Sequence, residues 1–127
     1  MKAARTVMVI DNDDGLRMDI TRWLTERGYS VVDCEDYSDA LTRLHRIAQP
    51  ALIAGELRIP GLGSDTFRAL QRGIPGFSAI PFLVMSSAEN LSAWAVALGA
   101  AATLAKPFDK LAFLTVVDQL VERQLSP

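Results

Sequence analysis

Val7-Met8-Val9-Ile10-Asp11-Asn12-Asp13-Asp14 decides the fold. Four apolar residues, mostly β-branched, make a run too short for a core helix. They suit a strand buried on both faces. The run stops on an acidic stretch. A helical pattern follows at once, with Leu16, Ile20, Trp23 and Leu24 recurring at i, i+4, i+7 and i+8. Gly28 supplies a left-handed stop. Strand, acidic turn and amphipathic helix together form the opening unit of a parallel crossover.

The same unit recurs outward along the chain. Ser30-Val31-Val32-Asp33-Cys34 reads as a second strand. Ser38 is expected to cap a helix whose inner face is Leu41, Leu44, Ile47 and Ala48, closed by Pro50. Ala51-Leu52-Ile53-Ala54 reads as the third strand, and Ile59-Pro60-Gly61-Leu62-Gly63 as a turn. Ser64 is expected to cap a short helix through Phe67 and Leu70, which Gly73-Ile74-Pro75-Gly76 breaks. Pro81-Phe82-Leu83-Val84-Met85 reads as the fourth strand. Leu91, Trp94, Ala95 and Leu98 form a helical stripe ending at Gly99. Ala102-Thr103-Leu104-Ala105 is a weak fifth strand. Asp109 then caps a last helix with Leu111, Leu114, Val117 and Val121 inward. The expected fold class is α/β, a doubly wound (βα)5 domain with a five-stranded parallel sheet covered on both faces.

Composition agrees. The chain has 127 residues, one domain's worth, and half of them are hydrophobic, too many for a disordered chain. The net charge of −2 argues against a broad basic nucleic-acid surface. A lone cysteine, Cys34, rules out a disulfide framework. No apolar run reaches the roughly 18 residues of a membrane span, and no signal-peptide core is present. The expectation is one cytoplasmic domain over residues 1–127, with its core at about 6–121, no output domain, and neither nucleic acid nor membrane as a partner.

In such a sheet, ligand chemistry sits outside the carboxyl ends of the strands. Those ends carry Asp11-Asn12-Asp13-Asp14, Glu56, Ser86-Ser87 and Lys106-Pro107-Phe108. Carboxylates suit a hard cation such as Mg²⁺. A lysine and a hydroxyl suit phosphoryl oxygens.

On these residues the chain, roughly Thr6 to Val121, resembles the CheY-like receiver domain of bacterial two-component response regulators, a flavodoxin-like fold. Asp11-Asn12 stands where that family has an acid pair, and Arg17 follows at the family's spacing. Glu56-Leu57-Arg58-Ile59-Pro60-Gly61 matches the phosphoacceptor and the turn after it. Ser86 matches the hydroxyl after strand four, and Lys106-Pro107-Phe108 the lysine motif, with Pro107 the candidate cis-proline. Ala97-Leu98-Gly99-Ala100 also fits.

Two departures matter. The phosphoacceptor position holds Glu56, not Asp, and the second acid is Asn12. The resemblance implies a metal held by the acid pair, helping an aspartate attack a phosphodonor. Glutamate's extra methylene displaces the nucleophile, and a misplacement of about 1 Å costs on the order of 10²-fold. Asn12 removes a charge, so Mg²⁺ binding at Asp11 and Glu56 is expected to be weak or absent. Phosphorylation is expected to be absent or very poor. Glu56 either pairs with Lys106, imitating the phosphoryl–lysine contact of an activated receiver, or is a passive replacement. Thr103 stands at the usual strand-five aromatic, where a small side chain has little to swing.

The resemblance implies a non-enzymatic atypical receiver, or pseudo-receiver, standing alone in a phosphorelay. Its partners would be a histidine kinase, a phosphotransfer protein or a downstream effector, with self-association as a homodimer through the last two helices. Two alternatives compete. Asp11-Asn12-Asp13 also fits the opening Asp-x-Asp of haloacid-dehalogenase-like phosphatases, with Asp11 as nucleophile and Asp13 as general acid, but that family's late acid pair has no counterpart after Lys106. The other is a conventional receiver phosphorylated elsewhere, for instance at Asp11. His45 reads as solvated surface, Cys34 as a small core residue, Trp23 as core, and Trp94 as a partner-contact candidate on the fourth helix.

Overall fold

The computed structural model describes residues 5–125. Residues 1–4 and 126–127, part of the expected domain, lie outside the described residues. Five strands alternate with five helices: β1 Thr6–Ile10, α1 Asp14–Glu26, β2 Ser30–Cys34, α2 Tyr37–Leu44, β3 Leu52–Glu56, α3 Ser64–Arg72, β4 Phe82–Ser86, α4 Leu91–Leu98, β5 Ala102–Ala105 and α5 Lys110–Leu125. The sheet is parallel throughout, in the order β2-β1-β3-β4-β5. This is the expected doubly wound flavodoxin-like fold.

Strand periodicity splits the core in two. Met8 and Ile10 of β1 face one layer with Tyr37, Phe67, Phe82, Val84 and Leu98, beneath α2, α3 and α4. Val7 and Val9 face the other, with Ile20, Leu24, Leu83, Met85, Phe113 and Val117, beneath α1 and α5. β1, β3 and β4 are the inner strands, which is why their sequences read as continuous apolar runs.

Several local expectations need correction. β3 continues past Ala54 through Gly55 and Glu56, because the ladder carries Glu56 opposite Met85. Gly55 is tolerated mid-strand because a Cβ there would collide with the Tyr37 hydroxyl. Asp36, not Ser38, caps α2, its Oδ1 accepting the Asp39 N–H at 2.7 Å. That helix stops at Leu44, so Ile47 and Ala48 lie beyond it, and Tyr37, Ala40 and Leu44 are its buried residues. Gly63 is the cap position of α3. Ser64 is instead buried and donates its hydroxyl to the Leu57 carbonyl at 3.0 Å.

On α3, Phe67 is buried in the core but its partner in the apolar pattern is not. Leu70 is exposed, whereas Arg68 and Gln71 are buried beside Phe67. On α5, Leu111 is 75% exposed, and Phe113 and Leu120 take inward places. Other expectations hold. Asp109 caps α5 through the Ala112 N–H at 2.8 Å. Gly28 and Gly99 end α1 and α4 at φ +100° and +62°. Trp23 is half-buried against Phe113, and Trp94 lies exposed on α4. No described helix is long and apolar enough to cross a membrane.

Candidate functional site

The parallel ladder brings the carboxyl ends of β1, β3, β4 and β5 to one edge. Asp11 follows β1 and is fully buried. Its Oδ1 accepts the Asp13 N–H at 2.9 Å, and its Oδ2 accepts from Lys106 Nζ at 2.8 Å. Glu56 is the last residue of β3 and is also buried. Its Oε1 accepts from the same Lys106 Nζ at 2.9 Å, and its Oε2 accepts the Arg58 N–H at 3.0 Å. One ammonium thus bridges two carboxylates, and each of the four carboxylate oxygens holds a donor. The ion pair between Glu56 and Lys106 that the sequence suggests is present.

Backbone contacts fix this arrangement from below. The Lys106 N–H donates to the Ser86 carbonyl at 2.9 Å, extending the β4–β5 ladder. The peptide between Lys106 and Pro107 is cis. Phe108 stacks on Phe113 at 5.6 Å, anchoring the loop into α5. The buried Tyr37 hydroxyl donates to the Glu56 carbonyl at 2.6 Å. Arg17 ties down the first loop, donating to the Asp11 carbonyl at 2.6 Å and pairing with Asp14 and Asp33.

The electrostatics follow from this packing. Burial works against the charge on Lys106, but its hydrogen bonds to Asp11 and Glu56 and their negative charge outweigh it. The lysine pKa is raised above 10.5. Burial, reinforced by Glu56 and Asp11, pushes the Tyr37 phenol well up, so it remains a donor.

The remaining candidates divide. Ser86 is buried at the end of β4, and its Oγ accepts the Ala88 N–H at 3.1 Å. Ser87 is exposed and lines an open cleft of about 350 Å³ with Asp13, Leu16, Lys106, Pro107 and Phe108. Asn12 is exposed and faces a different cleft, with Asp14, Glu35, Asp36, Ile59 and Pro60. Thr103 is exposed on β5 opposite Val84. The structure therefore unites Asp11, Glu56 and Lys106 and leaves Asn12 and Thr103 outside that cluster. Asp13 is occupied at the cap of α1, accepting the Leu16 N–H at 3.0 Å.

Sequence reasoning missed Tyr37, hidden in a polar stretch after Glu35-Asp36, and missed Arg68 and Gln71. Arg68 donates to the Ile80, Leu98 and Gly99 carbonyls and to Gln71 Oε1, with its guanidinium 5.6 Å from the centre of the Phe82 ring. No local pattern marks such an arginine as buried.

The family model described as "response regulator receiver domain" matches residues 7–118. The chain belongs to the response regulator receiver domain family. It is 30% identical over 118 residues, 92% of this chain, to the transcriptional regulatory protein GlrR of Escherichia coli, and spans only 26% of that protein's length. Its fold is similar to that of the Vibrio cholerae chemotaxis protein CheY4, with a TM-score of 0.85 at 22% identity over 93% of this chain and 99% of that one. Full-length FixJ from B. japonicum gives a TM-score of 0.83 at 23% identity, covering 99% of this receiver and 61% of that chain. Receivers are generally non-enzymatic modules of two-component signalling that interact with histidine kinases and effectors. The phosphatase alternative finds no support in these relationships, and Asp11 and Asp13 are both held by partners within the protein.

Receivers typically bind Mg²⁺ at the phosphorylation site. The residues here fit that ion poorly. Among the described residues no group of three or more His, Cys, Asp or Glu could hold a metal. Each Asp11 and Glu56 oxygen already accepts a hydrogen bond, and Asn12, exposed and lining another cleft, adds no charge.

Proposed function

We propose that this receiver transmits its signal through protein contacts without accepting a phosphoryl group at Glu56, the position where the family's acceptor aspartate is expected. The supporting observation is the Lys106 bridge to Asp11 and Glu56. Each Glu56 oxygen accepts a hydrogen bond, from the Lys106 ammonium or the Arg58 N–H, and that makes it a poorer nucleophile toward a phosphodonor. The extra methylene also moves that oxygen off the line an aspartate would use, and in-line transfer tolerates little displacement. In this reading the bridge imitates the contact between lysine and a phosphorylated aspartate, the pocket's own side chains pairing with one another at the base of an open cleft. The partner is then a protein, a histidine kinase, a phosphotransfer protein or an effector, that recognises this fixed state.

Intact mass after incubation with acetyl phosphate and Mg²⁺ tests the reading, with Glu56→Asp alongside. The expected result is an unmodified parent and a variant that gains one phosphoryl group. A stable phosphoryl adduct on the parent overturns the proposal.

A further inference from the structure

We infer that Lys106 is the resident cation of this pocket and excludes a divalent metal from Asp11 and Glu56. The inference deepens the reading above and rests on its assignment of the pocket, but concerns metal binding, which is measured separately from phosphorylation.

The oxygens a metal would need are already spoken for. Mg²⁺ demands near-octahedral oxygen ligation at about 2.0–2.1 Å and gives up its waters reluctantly. Here Asp11 Oδ2 and Glu56 Oε1 converge on one ammonium, at 2.8 and 2.9 Å. The other oxygen of each carboxylate accepts a backbone N–H, from Asp13 and Arg58. The nearby Asp11 carbonyl accepts from Arg17 at 2.6 Å. A metal would have to share these oxygens with the donors they already hold, within reach of an ammonium that repels it.

Charge gives the same answer. The hydrogen-bonded cluster holds two carboxylates and one ammonium, Asp13 lines the cleft outside it with an oxygen committed to the Leu16 N–H, and Asn12 contributes no charge. Adding a divalent ion beside the lysine would leave three positive charges against two negative in a site where Asp11 is fully buried and the Lys106 side chain only 17% exposed. Uncompensated charge is costly there. Ammonium and metal therefore compete, and the covalently tethered lysine has the advantage. Removing it leaves two converging carboxylates, the donor type that holds Mg²⁺ or Mn²⁺ through one or two side chains and water.

Electron paramagnetic resonance of free Mn²⁺ tests this on the full chain. The parent should leave the free-ion signal where Asp11→Asn leaves it. Lys106→Met should bind one Mn²⁺, and Lys106→Met with Asp11→Asn should lose it again. Circular dichroism reports whether each variant folds, and Lys106→Gln serves as the second lysine variant. One saturable Mn²⁺ on the parent, lost in Asp11→Asn, overturns the inference, and this arm decides the matter even if the lysine variants do not fold. A folded Lys106→Met and a folded Lys106→Gln that both bind no Mn²⁺ also overturn it. A parent that binds no Mn²⁺ yet gains a phosphoryl group in the mass experiment overturns the reading of Glu56 and leaves the metal inference standing. Mn²⁺ binding without phosphorylation does the reverse.

Discussion

Tyr37 shows how much one hydroxyl can fix. It is fully buried, it donates to the Glu56 carbonyl at 2.6 Å, and it occupies the space that Gly55 leaves. Tyr37→Phe removes the donor and leaves a buried carbonyl unpaired, which should cost about 1–2 kcal/mol in urea unfolding. Gly55→Ala should cost at least as much, because its methyl group displaces the same ring. Equal stability of Tyr37→Phe and parent would show that the carbonyl finds another donor. Cys34 makes a second residue-scale case. It is 1% exposed at the end of β2, and burial first, then the charge of Asp39, pushes its thiol up to about 12. A neutral buried thiol is a poor nucleophile. Its labelling by a disulfide reagent at neutral pH should wait on unfolding, so that rates with and without urea differ sharply.

At the scale of elements, α3 and α4 are joined by Arg68. The guanidinium is 6% exposed and donates to Leu98 and Gly99 at the end of α4, to Ile80 ahead of β4, and to Gln71 within its own helix. Carbonyls at a helix C-terminus carry partial negative charge, which partly offsets the buried cation. Burial, and then the charge of Arg72, brings the guanidinium down to about 10. Arg68→Met would keep the apolar stem and strand those carbonyls. Its cost should be on the order of 2–4 kcal/mol, read by urea unfolding. Amide exchange should quicken first around Gly99 and Ala100. Uniform acceleration over the whole chain would deny Arg68 a local role.

At alkaline pH the whole molecule responds through its raised groups, Cys34 and Lys106 together with the phenols of Tyr29 and Tyr37. The folded pKa of Lys106 lies above its unfolded value of 10.5, because the two carboxylates outweigh burial. Its contribution is complete below the unfolded value and is lost as pH rises through the folded one. Cys34 follows the same sign, since its thiol loses a proton near 9.0 when unfolded and near 12 when folded. Stability should therefore decline from about pH 9 upward. Cys34→Ala should remove that residue's share between 9 and 12, and Lys106→Met its share above 10.5, leaving the part due to the two phenols. Denaturant midpoints measured against pH check both, and an unchanged alkaline slope in each variant refutes the assignment.

The sequence alone determined the alternation of strands and helices, because apolar period and turn residues are local properties, and it placed Asp11, Glu56 and Lys106 at strand ends. β5 shows where that local reading weakens. Ala102-Thr103-Leu104-Ala105 has little strand character of its own, and its pairing from Leu83 with Ala102 to Ser86 with Ala105 makes it a strand. Only the tertiary structure decided that Gly55 and Glu56 belong to β3 itself, that Tyr37 lies beneath Glu56, that Arg68 is buried while Leu70 is exposed, and that Asn12 is exposed and lines a second cleft. Each of these depends on partners distant in the chain. A cation enters a core only where converging carbonyls satisfy it, and one ammonium bridges two carboxylates only when the parallel sheet brings three strand ends to the same edge.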